Sequence, residues 1–223
     1  MINIVICGIN GAMGKVLEQE IETYDNIFLA GSLSPKSGNY GQDINVKIDV
    51  IIDFSNPSNL DFLLDYAITR NSALLICTTG YTEEQKNKII ETGNYIPVML
   101  SSNTSLGINV FRKILKSISK ELNGFDIDIV EKHHNKKIDS PSGTAITLAE
   151  DIMKQTKREK IETHALRAGT IPGEHTVIFS GPDEILEIKH TAFSKKIFAR
   201  GAFDIALKLN DKPKGFYTTE DVF

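Results

Sequence analysis

Met1-Ile-Asn-Ile-Val-Ile-Cys7 runs without a break into Gly8-Ile-Asn-Gly-Ala-Met-Gly14, and this junction constrains the fold more than any other stretch. A β-branched run broken only by Asn3 reads as a buried strand. Behind the glycines, Met13, Val16, Leu17 and Ile21 fall on one helical face. Strand, glycine turn and helix in that order open a parallel α/β sheet. Gly8, Gly11 and Gly14 stand at G-x-x-G-x-x-G spacing, a variant of the turn that lets backbone N–H groups approach a dinucleotide pyrophosphate at a helix start. Plain turn chemistry is the alternative reading of the same glycines.

The next ninety or so residues repeat the alternation. Strands are expected at 2–7, 27–33, 49–54, 73–78 and 96–101. Leu60, Phe62, Leu63, Tyr66 and Ala67 predict a helix, and Thr82 with Gln85 forms a capping-box pattern ahead of Ile89 and Ile90. Residues 34–48 carry no helical period, so a loop replaces the usual crossover helix there. From about residue 105 the pattern changes. Helices over about 106–122 and 143–157 alternate with strand-like 125–131, 174–180 and 184–192, the last two joined at Gly181-Pro182-Asp183. A helix over 197–209 follows. The expected fold is α/β: an N-terminal Rossmann-like dinucleotide-binding domain and a second α+β domain with a mixed or antiparallel sheet.

Composition narrows the function classes. A net charge of −4 and a pI near 5.8 lack the basic excess of a nucleic-acid protein. No apolar run approaches the ~20 residues that span a bilayer, so no membrane partner is expected. The N-terminus has neither the basic segment nor the cleavage site of a signal peptide, which points to the cytoplasm. Cys7 and Cys77 each follow an apolar run and read as small buried hydrophobes, with no ligand set for a metal.

The chemistry concentrates in Glu131-Lys-His-His-Asn-Lys-Lys-Ile-Asp-Ser-Pro-Ser-Gly-Thr-Ala145. Imidazole exchanges protons near neutral pH, and lysine is a fixed cation. The Ser-Gly-Thr turn opens a helix, whose first N–H groups and dipole favour an anion. His133 and His134 with Lys137, Gly143 and Thr144 therefore read as a pocket for a small carboxylate that is protonated while bound. Ser34 and Lys36, standing where an NAD-preferring chain carries an acid, could receive a 2′-phosphate; Lys36 as a solvated loop lysine is the alternative. Cys77-Thr78-Thr79-Gly80 and Ser101-Ser102-Asn103-Thr104-Ser105 follow the fourth and fifth strands, where open parallel sheets bind ligands; an ordinary strand-end turn is the alternative for either loop taken singly. Arg167 to His175 reads as a lid or an oligomer contact, and His164, His175 and His190 receive no chemistry.

These motifs resemble the 4-hydroxy-tetrahydrodipicolinate reductase (dihydrodipicolinate reductase) family of the diaminopimelate–lysine pathway. The resemblance rests on the glycine turn, Asp53-Phe54-Ser55, Thr78-Thr79-Gly80, Asn103 with Gly107 to Val110, Arg167-Ala-Gly169 with Gly173-Glu-His175, and above all His133 to Ala145. It implies NADPH or NADH as cofactor and a cyclic imine dicarboxylate as substrate. It implies His133 as proton donor and Lys137 as second catalytic residue, with His134, Gly143 and Thr144 binding substrate. Gly8, Asn10, Gly11, Ala12, Met13, Gly14, Cys77, Thr78, Thr79, Ser101, Ser102, Asn103 and Thr104 are the implied cofactor positions, beside Ser34 and Lys36 as read above from the end of the second strand. It further implies a homotetramer, with residues 1–104 plus 196–223 as the cofactor domain and 105–195 as the substrate and oligomerisation domain. Other readings are a different two-domain oxidoreductase, which would need a catalytic cysteine or another base in the second domain, and a nonenzymatic dinucleotide sensor.

Overall fold

The computed structural model describes residues 1–222. The chain forms two compact units: Met1–Ser105 together with the segment from Lys196 onward, and Leu106–Lys195. The first unit holds β1 (Ile2–Cys7), α1 (Ala12–Glu20), β2 (Ile27–Leu33), β3 (Val50–Asp53), α2 (Leu60–Arg70), β4 (Ala73–Ile76), α3 (Glu83–Thr92) and β5 (Pro97–Leu100). The second holds α4 (Leu106–Ile118), β6 (Asp126–His133), α5 (Gly143–Thr156), β7 (Glu162–Arg167), β8 (Gly173–Ser180) and β9 (Ile185–Ala192). The chain then returns to the first unit as α6 (Lys196–Asn210), β10 (Gly215–Tyr217) and the short α7 (Thr219–Val222).

In the first unit the strands run parallel in the order β10-β5-β4-β3-β1-β2. The strands' apolar runs have a place to go because both sheet faces are covered. Ile4, Ile6, Val50, Ile52 and Leu75 point to the layer with Leu17 of α1 and Phe203 of α6. Val5, Cys7, Ile51, Leu74 and Ile76 point to the layer with Leu63 of α2 and Ile89 of α3. Alternation by two thus builds one core on each face. The strand order reverses between β1 and β3, so the crevice beyond their carboxyl ends is the topological switch point. Thr82 caps α3 through the expected box, its hydroxyl taking the Gln85 N–H at 3.2 Å and its own N–H reaching Gln85 Oε1 at 3.0 Å. Between β2 and β3 the chain has only a single 3-10 turn, Pro35–Ser37, as the missing helical period predicts.

Helix α6 lies so close to the chain after β5 that only glycine fits at one point. A Cβ on Gly201 would stand 1.8 Å from the Thr104 carbonyl oxygen. Helix propensity alone favours alanine over glycine by ~1 kcal/mol, but a backbone clash that deep wins. Gly201→Ala is expected to lower stability by about 1–3 kcal/mol, read as an earlier denaturant midpoint; an unchanged midpoint would contradict this packing.

The second unit has a four-stranded mixed sheet in the order β7-β6-β8-β9, parallel only between β6 and β7. Helices α4 and α5 cover one face through Phe111, Leu115, Leu148 and Ile152 against Ile127, Ile129, Val177 and Phe179. Two expectations are corrected. The helix expected to reach residue 122 ends at Ile118, because the chain must turn through Asn123-Gly124 to enter β6. Strand β7, absent from the sequence reading, is a polar edge strand whose residues are mostly exposed and carry no alternating apolar signal.

Candidate active site

Along β6 the residues facing the helices are Ile127, Ile129, Glu131 and His133. Two apolar positions anchor the strand, and the same face then becomes ionisable at its carboxyl end. Glu131 is fully buried and His133 is 8% exposed. A charge in that position is costly unless it is paired and hydrogen-bonded. The Glu131 carboxylate is. Arg167, opposite His133 in the parallel ladder, donates from Nη1 to Oε2 at 2.8 Å and from Nη2 to Oε1 at 2.6 Å. The Ser142 N–H reaches Oε1 at 3.0 Å, and His133 Nδ1 lies 2.5 Å from Oε2. These partners outweigh burial and hold the Glu131 carboxyl below the usual carboxylate range.

Strands β6 and β7 are parallel, so their connection must cross over, and α5 makes that crossing. Its start therefore lies just beyond His133. Ser142 caps it, its hydroxyl accepting the Ala145 N–H at 3.2 Å, and no acidic side chain occupies its first turn. The Ser142 hydroxyl also lies 3.0 Å from His175 Nε2, and the His133 and His175 rings meet edge to face with centroids 5.1 Å apart. Burial, then the neighbouring His133, pushes the His175 imidazole down to about 4, so it stays neutral at physiological pH. Burial lowers His133 as well; Glu131 opposes that, while Lys137 and Arg167 reinforce it.

Lys137 Nζ lies 2.8 Å from Asp139 Oδ1. The Lys137 ammonium and the Gly143 N–H together hold the Asp139 carboxyl below its ordinary range. An internal carboxylate, Asp139, thus lies on the lysine that the sequence reading offers to a substrate carboxylate. His134 begins the turn between them, its carbonyl accepting the Lys137 N–H at 3.1 Å. Thr144 follows Gly143 in the first turn of α5. His133, Lys137, His134, Gly143 and Thr144 therefore share the carboxyl end of β6 and the start of α5. Glu131, Arg167 and His175 belong to the same constellation, and the sequence reading assigned none of them a place in it. The available signal was an acid and a histidine continuing the buried alternation of Ile127 and Ile129.

In the first unit the implied cofactor positions gather at the carboxyl ends of the parallel strands. Gly8 takes φ 89°, a left-handed conformation, and a Cβ on Gly14 would lie 2.3 Å from the Gly8 carbonyl oxygen. The turn is therefore built for glycine at both ends. Gly11 caps α1 with no side chain on the first N–H groups, among them those of Ala12 and Met13, and no acid stands in the first turn. That cradle fits a pyrophosphate. Asn10 Nδ2 reaches Ser34 Oγ at 3.3 Å, bringing the loop after β2, with Lys36 in its 3-10 turn, to the glycine turn.

Beneath these loops Asp53 is wholly buried, and burial raises its carboxyl. The Ser55 hydroxyl donates to it at 2.5 Å, while the Ser55 N–H reaches Thr78 Oγ1 at 2.8 Å. These bonds tie the ends of β3 and β4 together. The Cys77 side chain is in the core, and the Thr104 hydroxyl is turned inward to the Phe198 carbonyl at 2.6 Å. Ser101 is also buried, its hydroxyl on the Asn103 carbonyl at 3.0 Å, and Asn103 Oδ1 takes the Ser105 N–H at 2.9 Å. Those side chains shape their loops, and Thr79 and Ser102 are the exposed hydroxyl residues there. Burial pushes the Cys7 thiol up to about 12 and Cys77 well above its ordinary value, so neither is a nucleophile at neutral pH. Among the described residues no group of His, Cys, Asp and Glu is arranged to hold a metal ion, and no helix is long and apolar enough to cross a membrane.

Comparison with known proteins agrees with this arrangement. Residues 2–104 match the family described as dihydrodipicolinate reductase, N-terminus, and residues 107–223 match dihydrodipicolinate reductase, C-terminus. The 4-hydroxy-tetrahydrodipicolinate reductase of Clostridium tetani is 40% identical over 99% of this chain and 96% of its own length. That of Brachyspira hyodysenteriae is 39% identical over 95% of this chain and 96% of its own length. Among solved structures, the dipicolinate-bound dihydrodipicolinate reductase of Paenisporosarcina sp. TG-14 shares the fold. Its TM-score is 0.83 at 21% identity, with 98% of this chain and 97% of that one covered. The chain belongs to the dihydrodipicolinate reductase family.

Proposed function

We propose that this chain is the NAD(P)H-dependent reductase that converts 4-hydroxy-tetrahydrodipicolinate to tetrahydrodipicolinate in diaminopimelate and lysine biosynthesis. The observation that carries the reading is the pairing of a buried, carboxylate-held His133 with the Lys137 and Gly143 donors at the start of α5, in a member of this family.

The glycine turn Gly8–Gly14, the loop of Cys77, Thr78 and Thr79, and the loop Ser101–Thr104 hold the cofactor. The uncapped start of α1 would hold its pyrophosphate, with Asn10 supporting Ser34. When bound, the reduced nicotinamide supplies a hydride. Ser34 and Lys36 accept either a ribose hydroxyl or a 2′-phosphate, which leaves both NADH and NADPH as donors. The substrate is a small dicarboxylate. One carboxylate displaces Asp139 from Lys137 and the Gly143 N–H, and His134 and Thr144 complete the contact. The 4-hydroxyl and a C5 hydrogen of the substrate leave as water; a hydride at C4, which the bound cofactor would supply, is balanced by a proton that His133 gives to C5. His133 is the donor because it is the imidazole whose protonated form is supported by a buried carboxylate. The active form is a cytoplasmic homotetramer, as in the family this chain resembles.

Lys137→Ala removes the cation on that carboxylate. It is expected to raise KM for the dicarboxylate and to lower kcat, because a misplaced substrate reacts slowly. Steady-state kinetics on both substrates check this. An elevated KM for the cofactor with an unchanged KM for the dicarboxylate would place Lys137 elsewhere.

A further inference from the structure

His133 has two ring nitrogens with unlike surroundings. Nδ1 is 2.5 Å from Glu131 Oε2. Nε2 makes no hydrogen bond among the described residues and faces Gly173, where even a Cβ would come within 3.1 Å of it. Glycine at that position in β8 keeps the Nε2 edge of the ring open. The carboxylate cannot leave Nδ1, because both its oxygens are also held, by the forked Arg167 guanidinium and by the Ser142 N–H.

We propose that Glu131 is the positioning residue of the proton donor: clamped by Arg167 and the α5 cap, it accepts the Nδ1–H hydrogen bond of His133 and leaves Nε2 as the atom that gives and regains the reaction's proton. The proposal rests on the reading of His133 as the donor. In the neutral ring the proton is on Nδ1 and Nε2 carries the lone pair. On protonation Nε2 gains the proton, and in the reaction it passes that proton to substrate and returns to the neutral form. No other group is consumed. An orienting carboxylate of this kind fixes both tautomer and ring direction.

The charged and titratable groups around the ring are Glu131 from β6, Arg167 from β7, His175 from β8 and Lys137 from the loop before α5. His190 of β9 stands opposite His175, and α5 contributes only the uncharged Ser142. Glu131 is thus the one anion in contact with the ring. Replacing it by the isosteric amide removes the negative charge and offers Nδ1 an N–H donor, which favours the wrong tautomer.

The test combines ligand-free nuclear magnetic resonance with kinetics on the full chain. With the five histidines labelled with nitrogen-15, the His133 signals are identified by their loss in His133→Gln. The unsubstituted protein is expected to show, in the neutral state, a protonated Nδ1 and an unprotonated Nε2; a protonated Nε2 overturns the proposal without any variant being needed. In Glu131→Gln, kcat is expected to fall by about 10²-fold or more with the cofactor Kd unchanged. The descending limb of kcat/KM is expected to move to lower pH, because the acid loses the charge that supports its protonated form. Full turnover with an unmoved pH profile in Glu131→Gln, beside a dead His133→Gln, overturns the positioning role alone. Full turnover in His133→Gln overturns the donor reading, and the positioning role with it.

Discussion

His133→Gln is expected to reduce turnover by about 10²–10⁴-fold, the usual contribution of a positioned general acid, while leaving cofactor affinity as it is. The separation follows from the fold. His133 ends β6 in the second unit, whereas the Gly8–Gly14 cradle is in the first. Glutamine keeps approximate size and polarity, so the fold should survive. The pH profile of the unsubstituted enzyme carries the same information. Burial holds His133 below the ordinary imidazole value, and a general acid is lost as pH rises through its pKa. The limb of kcat/KM that falls with rising pH should therefore lie on the acid side of an ordinary histidine. Stopped-flow binding of NADH or NADPH beside steady-state turnover separates the two effects. A variant that binds cofactor poorly but turns over at full rate when saturated would contradict the assignment.

The second large effect concerns stability. Arg167→Leu strips the forked partner from a carboxylate with no exposure of its own. Breaking a buried pair by removing one member costs about 3–5 kcal/mol, since the remaining charge stays buried without compensation. The pH dependence has a definite sign. In the unsubstituted protein the Glu131 pKa is depressed. Its stabilising contribution is thus present above the unfolded carboxylate pKa and is lost as pH falls through the lower folded value. The leucine variant lacks that contribution. The difference between the two proteins should be widest at neutral pH and should narrow as Glu131 protonates. Denaturant midpoints at neutral and acid pH measure it. A constant gap across that range would mean that Arg167 acts by packing alone.

Strands β1, β3, β4 and β5 were legible because parallel strands buried on both faces write apolar runs; β2, at the sheet edge and only half-buried, was legible from its apolar start and the serine that follows it. The loop in place of a helix between β2 and β3 was legible from its missing period. Strand β7 was not, because an edge strand pairs through its backbone, which the side chains Glu162, Thr163 and His164 do not report. Strand β10, at three residues, pairs only with β5 and is too short to show alternation. Of the proposed site, the stretch from His133 to Thr144 stands out in the sequence because it is contiguous. Its supports do not. Arg167 reaches Glu131 across 36 positions of chain, and His175 comes opposite Glu131 only through the register of β6 and β8. Such partners are set by strand pairing, which a local pattern does not encode.

The most direct measurement is the oxidation of NADH and of NADPH by the purified protein. The substrate is formed in situ by enzymatic condensation of pyruvate with aspartate semialdehyde. Oxidation that depends on that substrate and is abolished by His133→Gln is the predicted result, and the two rates give the cofactor preference. Tight cofactor binding with no substrate-dependent oxidation would contradict the assigned reaction and leave a dinucleotide-binding protein of this fold with another role.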